Sequence, residues 1–323
     1  MNNFQHSNAK SLKEAFSLLG DDWNKTRIIA GGTDLLGEMK KGIISPKVLV
    51  NIKTISDINF IKYEKGKGLR IGALARLVDI EENTAIQEKF TALWQAARVI
   101  GSPQLRNMGT IGGNLCQRPR CWYYRGEFHC FRKGGRECFA LRGENMYHCI
   151  FGAQGCFIVH PSDTAPALMA LKAKVKIANS QAEKTLPLED FFLGPDKDMQ
   201  RENTLKPNEI LTEILLPEPA VGTRSLYLKK SERKVWDFAL VSVAAALSFK
   251  GKSCQEARLV LGGVAPIPWR LKQVEDYLAG KEINSKVAKR AGELAVKGAK
   301  PLKQNGYKVE IVKIMVKEAL LSL

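Results

Sequence analysis

The sequence predicts a two-domain α+β protein, and three observations carry that expectation. The first is length: 323 residues give room for two domains, or three small ones. The second is a change of character after Pro217-Glu218-Pro219, where strand-like runs gather first and helical runs follow. The third is a long stretch, residues 109–163, with no apolar period of 2 or 3.6 and with six of the seven cysteines. Long irregular segments in compact domains are usually functional or disordered, and the cysteines argue against disorder. The expected division is therefore residues 1–219 and 220–323, with a cysteine-rich insertion at about 115–160.

Taken in order, residues 11–19 read as a short amphipathic helix with Leu12, Ala15, Phe16 and Leu19 on one face. Residues 27–30 read as a strand, Gly31-Gly32 as a tight turn, and 34–40 as a helix capped by Thr33 or Asp34. Such a strand, turn and helix start offers N–H groups and a positive helix end to an anion. The two glycines would let a phosphate approach the backbone, although an ordinary turn fits the same pattern. Residues 48–52 form a buried-type strand, and 58–63 and 69–71 flank a Lys-Gly turn as a hairpin. Residues 77–83 and 86–100 are helical, and 104–108 lead into a further glycine turn at 110–114. After the insertion, Ser162 and Asp163 open a helix over 165–172, followed by a strand at 174–178. A polar, proline-bearing linker then leads to a strand at 210–216. Beyond the boundary, 224–230, 238–249 and 254–262 are strands, and 269–278, 285–296 and 306–323 are helices.

Bulk composition narrows the function. The N-terminus lacks the basic start and apolar core of a signal peptide, and no apolar run reaches the ~20 residues of a bilayer span. A cytoplasmic protein is expected, with export alongside a signal-bearing partner left open. Seven cysteines without an export signal point to metal ligation or redox chemistry rather than disulfides. A net charge of +17 points to an acidic partner: nucleic acid, anionic lipid, a phosphorylated cofactor or another subunit. No run of five basic residues and no aromatic–basic stacking motif occurs, which disfavours nucleic acid and prefers a subunit. GGTDLLG at 31–37 is not a dinucleotide fingerprint and no P-loop pattern is present, so a Rossmann or P-loop domain is disfavoured.

Four motifs stand in order along the whole chain: RIIAGGTDLL from Arg27, NMGTIGGNLCQ from Asn107, HPSD from His160 and GGVAPIPWR from Gly262. Together they resemble the flavin-binding subunit of the molybdenum hydroxylases, the xanthine dehydrogenase family. The resemblance implies an FAD domain of the vanillyl-alcohol-oxidase or PCMH type. A smaller α+β domain like that of the CO dehydrogenase flavoprotein would follow it. It also implies that both glycine turns hold the FAD pyrophosphate. Arg27, Ile28, Ile29, Ala30, Gly31, Gly32, Thr33 and Asp34, with Thr110, Ile111, Gly112, Gly113 and Asn114, would line the diphosphate and ribityl chain. Asp163 would contact the cofactor's sugar, Leu211 would pack on the isoalloxazine and Lys229 would hydrogen-bond near it. That places the flavin between the domains, a common cofactor position; Lys229 also reads as a plain strand-edge lysine.

Most such subunits pass quickly from the TIGGN turn to the Ser-Asp pair, whereas here Asn114 and Ser162 lie 48 positions apart. A comparable cysteine loop holds an extra [4Fe–4S] cluster in 4-hydroxybenzoyl-CoA reductase and in bacterial aldehyde oxidoreductases of the PaoABC type. RxRC at 118–121, GRECxAL at 135–141 and GCxxxHPSD at 155–163 are most similar to the latter. The resemblance implies Cys121, Cys130, Cys138 and Cys156 as ligands, with Cys149 the alternative to Cys156 as the fourth. Cys116 and Cys149 are then extras, and Cys254 is structural. Seven arginines and lysines against three glutamates between Cys116 and Cys156 suit a negatively charged cluster. His129 and His148 keep zinc as a competing reading, although none of the four ligands are paired as zinc knuckles. Trp122, Tyr123 and Tyr124 either shield a cofactor or pack as core.

The implied activity is electron transfer. A large molybdenum-cofactor subunit would transform the organic substrate, and a small subunit would carry two [2Fe–2S] clusters. FAD on this chain would pass the electrons to NAD, a quinone or ferredoxin, and no residue here is expected to act as a catalytic acid or base. The rival readings are a stand-alone flavin oxidase of the same fold and a zinc-stabilised nucleic-acid-binding protein. The glycine turns and the cysteine loop are separate in sequence, so loss of a cluster is expected to spare FAD binding.

Overall fold

The computed structural model describes residues 1–323. The chain opens with β1 (Gln5–Asn8), α1 (Leu12–Leu18), β2 (Thr26–Ile29), α2 (Leu35–Lys40) and β3 (Val48–Asn51). The three strands form a parallel sheet in the order β1–β3–β2, with Val48 paired to both Gln5 and Thr26. β3 is the apolar centre, with Leu49 and Val50 buried. β1 is QHSN, mostly exposed, and is a strand only because β3 offers it an edge; no sequence pattern announces it.

Next come the hairpin β4 (Ile61–Glu64) and β5 (Gly68–Gly72), then α3 (Leu77–Glu81), α4 (Thr84–Lys89), α5 (Thr91–Arg98), α6 (Pro103–Met108), α7 (Ile111–Leu115) and α8 (Trp122–Arg125). After the insertion follow α9 (Thr164–Ala170), β6 (Lys174–Ala178), β7 (Glu183–Pro187), α10 (Leu188–Phe191) and β8 (Ile210–Leu216). The strands make an antiparallel sheet ordered β4–β5–β8–β6–β7. Three expectations are corrected here. The helix expected over 86–100 is two helices, because Phe90 leaves helical geometry (φ −125°, ψ 46°) to bury its ring against Tyr63. The glycine turn at 110–114 is the first turn of α7. The supposed linker holds β7 and α10, and β7 is a polar edge strand without alternation.

The remainder is β9 (Thr223–Lys230), β10 (Val241–Lys250), β11 (Ser253–Gly262), β12 (Trp269–Arg270), α11 (Lys272–Leu278), α12 (Ser285–Ala295) and α13 (Tyr307–Leu321). The helix expected from 269 begins at Lys272, because Trp269 and Arg270 pair with Leu261 and Val260 on β11. β10 sorts its side chains by the two-residue strand period. Val241, Val243, Ala245 and Leu247 join the core under α11–α13, while Ala244 joins the core around α5 and α9. The sheet β12–β11–β10–β9 is thus buried on both faces, the small residues meeting the first domain. No helix is long and apolar enough to cross a membrane.

The insertion is tied to the C-terminal part of the chain. Ile150 and Phe151 donate to the Val264 carbonyl and His160 to that of Ala265, which is where the GGVAPIPWR motif lies. Asn305 donates to the carbonyls of His148 and Cys149. Lys308 is buried and donates through Nζ to the carbonyls of Tyr147 (2.9 Å) and Gly263 (2.7 Å). Lys308→Met keeps the apolar stem and leaves both carbonyls dry. A loss of about 1–3 kcal/mol is expected, read from the urea unfolding midpoint. An unchanged midpoint would show that the two bonds contribute nothing to stability.

Candidate functional site

A cleft of about 640 Å3 lies between the parallel sheet, α7 and the β9–β10 connection. Its floor is the turn between β2 and α2. Gly31 sits so close to the end of α6 that a Cβ would run into the Met108 carbonyl oxygen, and Gly32 has φ +72°. Only glycine satisfies both demands. No protein acceptor engages the amides of Gly31, Gly32, Thr33 or Asp34, so all four are free to bind an anion at the start of α2.

Asp34 precedes α2 as expected, but its side chain makes no cap bond. Its carboxylate instead accepts from the Arg118 amide (2.7 Å) and the guanidinium groups of Arg125 (2.8 Å) and Arg120 (3.1 Å). One turn further, Glu38 accepts from the Tyr124 hydroxyl. Arg118 lies 3.1 Å from Glu202, and the buried Arg132 also pairs with Glu202. Burial works against the charge on Arg118, but Glu202, Tyr124 and Glu38 outweigh it and raise its pKa. Arg27 has no such partner: its Nε is orphaned and its guanidinium stands 4.9 Å over the Trp23 ring. Burial, then Arg118, pushes its pKa down, so a bound anion would favour the charged form of Arg27.

The turn at 110–114 behaves differently. Ile111 and Gly112 donate to the carbonyls of Ala75 and Ala73, Gly113 to the Thr110 hydroxyl, and Asn114 to the Thr110 carbonyl. These amides are satisfied inside the protein, so the turn forms a wall rather than an anion cradle. Thr110, Gly112, Gly113 and Asn114 line the cleft, and so do Arg27, Ile28, Ala30 and the residues of the first turn. Ile29 and Ile111 do not; Ile111 is wholly buried in the core. The Asn114 side chain accepts from the Ser162 (2.5 Å) and Thr164 (2.6 Å) hydroxyls, which locks the turn to α9.

Leu211 and Asp163 line the cleft, and Lys229 stands behind Asp163. Both Asp163 oxygens are taken, one by the Tyr227 hydroxyl (2.6 Å) and the other by Lys229 Nζ (2.8 Å). Lys229 also donates to the carbonyls of Asp237 (2.8 Å) and Val99 (3.2 Å), so its donors are committed to bracing. Sequence reasoning missed Trp236, Asp237 and Phe238 at the cleft rim, and the roles of Glu38 and Glu202. The strand expected from 238 begins at Val241, which leaves Phe238 on the rim beside Trp236 and Asp237.

A smaller and mainly apolar cavity lies beside the cleft. Cys121, Cys130, Cys138 and Cys156 all line it, with Tyr123, Phe139, His148 and Phe157. Tyr124 and Arg132 line both cavities and form the wall between them. Cys149 faces neither and is fully buried, and Cys116 lines the larger cleft. No three His, Cys, Asp or Glu side chains converge as a single metal ion would require. His148 lies with Nε2 3.3 Å from Cys121 Sγ, and burial pushes its pKa down to about 4.

Residues 2–219 match the family described as the FAD binding domain in molybdopterin dehydrogenase, and 226–323 match the CO dehydrogenase flavoprotein C-terminal domain. The chain is 34% identical to the aldehyde oxidoreductase FAD-binding subunit PaoB of Escherichia coli, over 89% of this chain and 88% of that one. It is 29% identical to the glyceraldehyde dehydrogenase medium chain of Sulfolobus acidocaldarius, covering 98% and 96%. Among solved structures, a carbon monoxide dehydrogenase from Hydrogenophaga pseudoflava that lacks the Mo-pyranopterin moiety superposes with TM-score 0.79 at 26% identity, covering 99% and 96%. The geometry of the first turn leads to a direct test. Gly31→Ala should weaken FAD binding at least about tenfold, because the turn must move off Met108 and its amides lose their aim. Equal affinity in a flavin-fluorescence titration would show that the turn does not hold the cofactor.

Proposed function

Because the chain belongs to the FAD-binding subunits of the molybdenum hydroxylase family, and is thus an oxidoreductase subunit, we propose that it passes electrons between the [2Fe–2S] clusters of a partner and an external acceptor. The observation that carries the flavin site is the row of unengaged amides from Gly31 to Asp34, facing a cleft with the unpaired Arg27. FAD supplies the redox chemistry when bound. The chain's own residues hold its diphosphate, wall the cleft with α7, and fix Asp163 and Leu211 on the side facing the second domain. No side chain in the cleft is given an acid–base role. The division at 1–219 and 220–323 belongs to the same proposal, supported by the separate sheet of β9–β12.

The insertion is proposed to carry a [4Fe–4S] cluster on Cys121, Cys130, Cys138 and Cys156. The support is that these four, and neither Cys116 nor Cys149, ring one cavity. A cubane spreads its thiolates over a wider volume than one zinc ion, whose sulfur ligands crowd within ~2.3 Å of the metal. Burial pushes the Cys156 thiol up, and Arg132 against it works the other way, a cation placed where a thiolate ligand would need one. The organic substrate would be transformed on a large molybdenum-cofactor subunit, and a small [2Fe–2S] subunit would deliver the electrons. The +17 charge suits acidic partners of this kind.

Anaerobic purification should yield FAD together with iron and a reduced-state EPR signal. Cys156→Ser should lose the signal, while Cys149→Ser should keep it. Flavin without iron in the wild type would remove the cluster and leave the family assignment intact.

A further inference from the structure

On the side of α2 the first flavin turn is held by backbone bonds to the Gly32 and Asp34 carbonyls but by no side-chain cap. Asp34 would ordinarily cap that helix, yet its carboxylate is turned away and held by three groups of the insertion: the Arg118 amide, Arg120 and Arg125. Arg125 also closes the insertion on itself. Its Nε donates to the Pro119 carbonyl (2.8 Å) and its Nη2 to that of Arg118 (3.2 Å). Tyr124, next to it, lies beneath the guanidinium groups of Arg118 and Arg125, with 5.2 and 5.5 Å to the ring centre, and donates to Glu38 on α2. Both residues sit on the four-residue helix α8, whose N-cap is Cys121, and the Arg125 amide donates to the Cys121 carbonyl (2.9 Å). A proposed cluster ligand and the clamps on the flavin turn therefore share eight consecutive residues, 118–125.

We propose that Arg118, Arg120, Tyr124 and Arg125 are positioning residues for the FAD diphosphate, and that the cysteine loop and the flavin turn bind their cofactors as one coupled unit. This rests on the flavin and cluster reading above. It reverses the expectation that loss of the cluster spares FAD. A loose Cys121 frees α8, which frees Asp34 and Glu38, which lets the row of amides from Gly31 to Asp34 drift. Linkage makes the effect reciprocal, so bound FAD holds the cluster more firmly.

The test titrates the full-length chain with FAD, following quenching of flavin fluorescence. Arg125→Gln and iron-free Cys121→Ser should each bind FAD about tenfold more weakly than wild type. Tyr124→Phe, which keeps the volume and removes only the bond to Glu38, should weaken it less, and exposed Arg142→Ala should not change it. Asp34→Asn combined with Arg125→Gln should weaken binding by less than the product of the two single effects, since the Asp34–Arg125 contact is shared by both. Saturating FAD should slow iron release from the wild type to a chelator, which a merely structural role for the arginines would not do. Unchanged FAD affinity in Arg125→Gln, or iron release indifferent to FAD, would overturn the coupling. A wild-type chain that holds no FAD would sink the flavin reading itself, and one with FAD but no iron would sink the cluster alone while the Arg125→Gln comparison still decides the positioning role.

Discussion

The cleft exists because one buried carboxylate joins two parts of the chain. Asp163 stands at the start of α9 and accepts from Tyr227 and Lys229 on β9. A carboxylate this deeply buried is tolerated only with its charge paired and its oxygens hydrogen-bonded, and here both are. Lys229 then reaches back to the carbonyls of Val99 and Asp237, so the same ammonium holds the end of α5 and the rim of the cleft. The apolar contact between the domains runs through Tyr227 on β9, Ala244 on β10 and Val260 on β11. That contact sets how close the layers come, and Asp163 sets where they register.

Much of this is legible in the residues. The strands with apolar centres, such as β3, β8 and β10, declare themselves because burial on both faces leaves little choice of composition. The glycine turn at 31–32 is readable as an anion site because two glycines between a strand and a helix have few other uses. The turn at 110–114 has a similar sequence and a different role: Thr110 caps two of its amides, and carbonyls of residues 73 and 75 take two more, a contact that no local pattern encodes. The polar edge strands β1 and β7 are invisible for the same reason, since their neighbours and not their side chains make them strands. Phe90 breaks a helix that its flanks favour, because a buried aromatic outweighs the propensity of the residues around it.

The insertion shows how tertiary context rewrites a local role. By its place in the sequence Asp34 is a cap, and a cap in isolation would stabilise α2 by about 0.5–2 kcal/mol. In the folded chain three donors from residues 118–125 outcompete the helix amides for the same oxygens. The far leg of the insertion is held by carbonyls and side chains of the C-terminal part, among them Val264, Asn305 and Lys308. A loop that reads as an appendage in sequence is in fact stitched to both halves of the protein.

The unengaged amides of Gly31 to Asp34 have a bearing on the lifetime of the polypeptide. Folding leaves these four donors without a protein partner, so part of what completes the native state is supplied from outside the chain. A ligand that binds only the folded form stabilises it by about 2.7 kcal/mol at a hundred times its dissociation constant. For a domain of ordinary marginal stability that is a large share of the total. The supply of cofactor in the cell would then govern not only how much of this protein is active but how much of it survives.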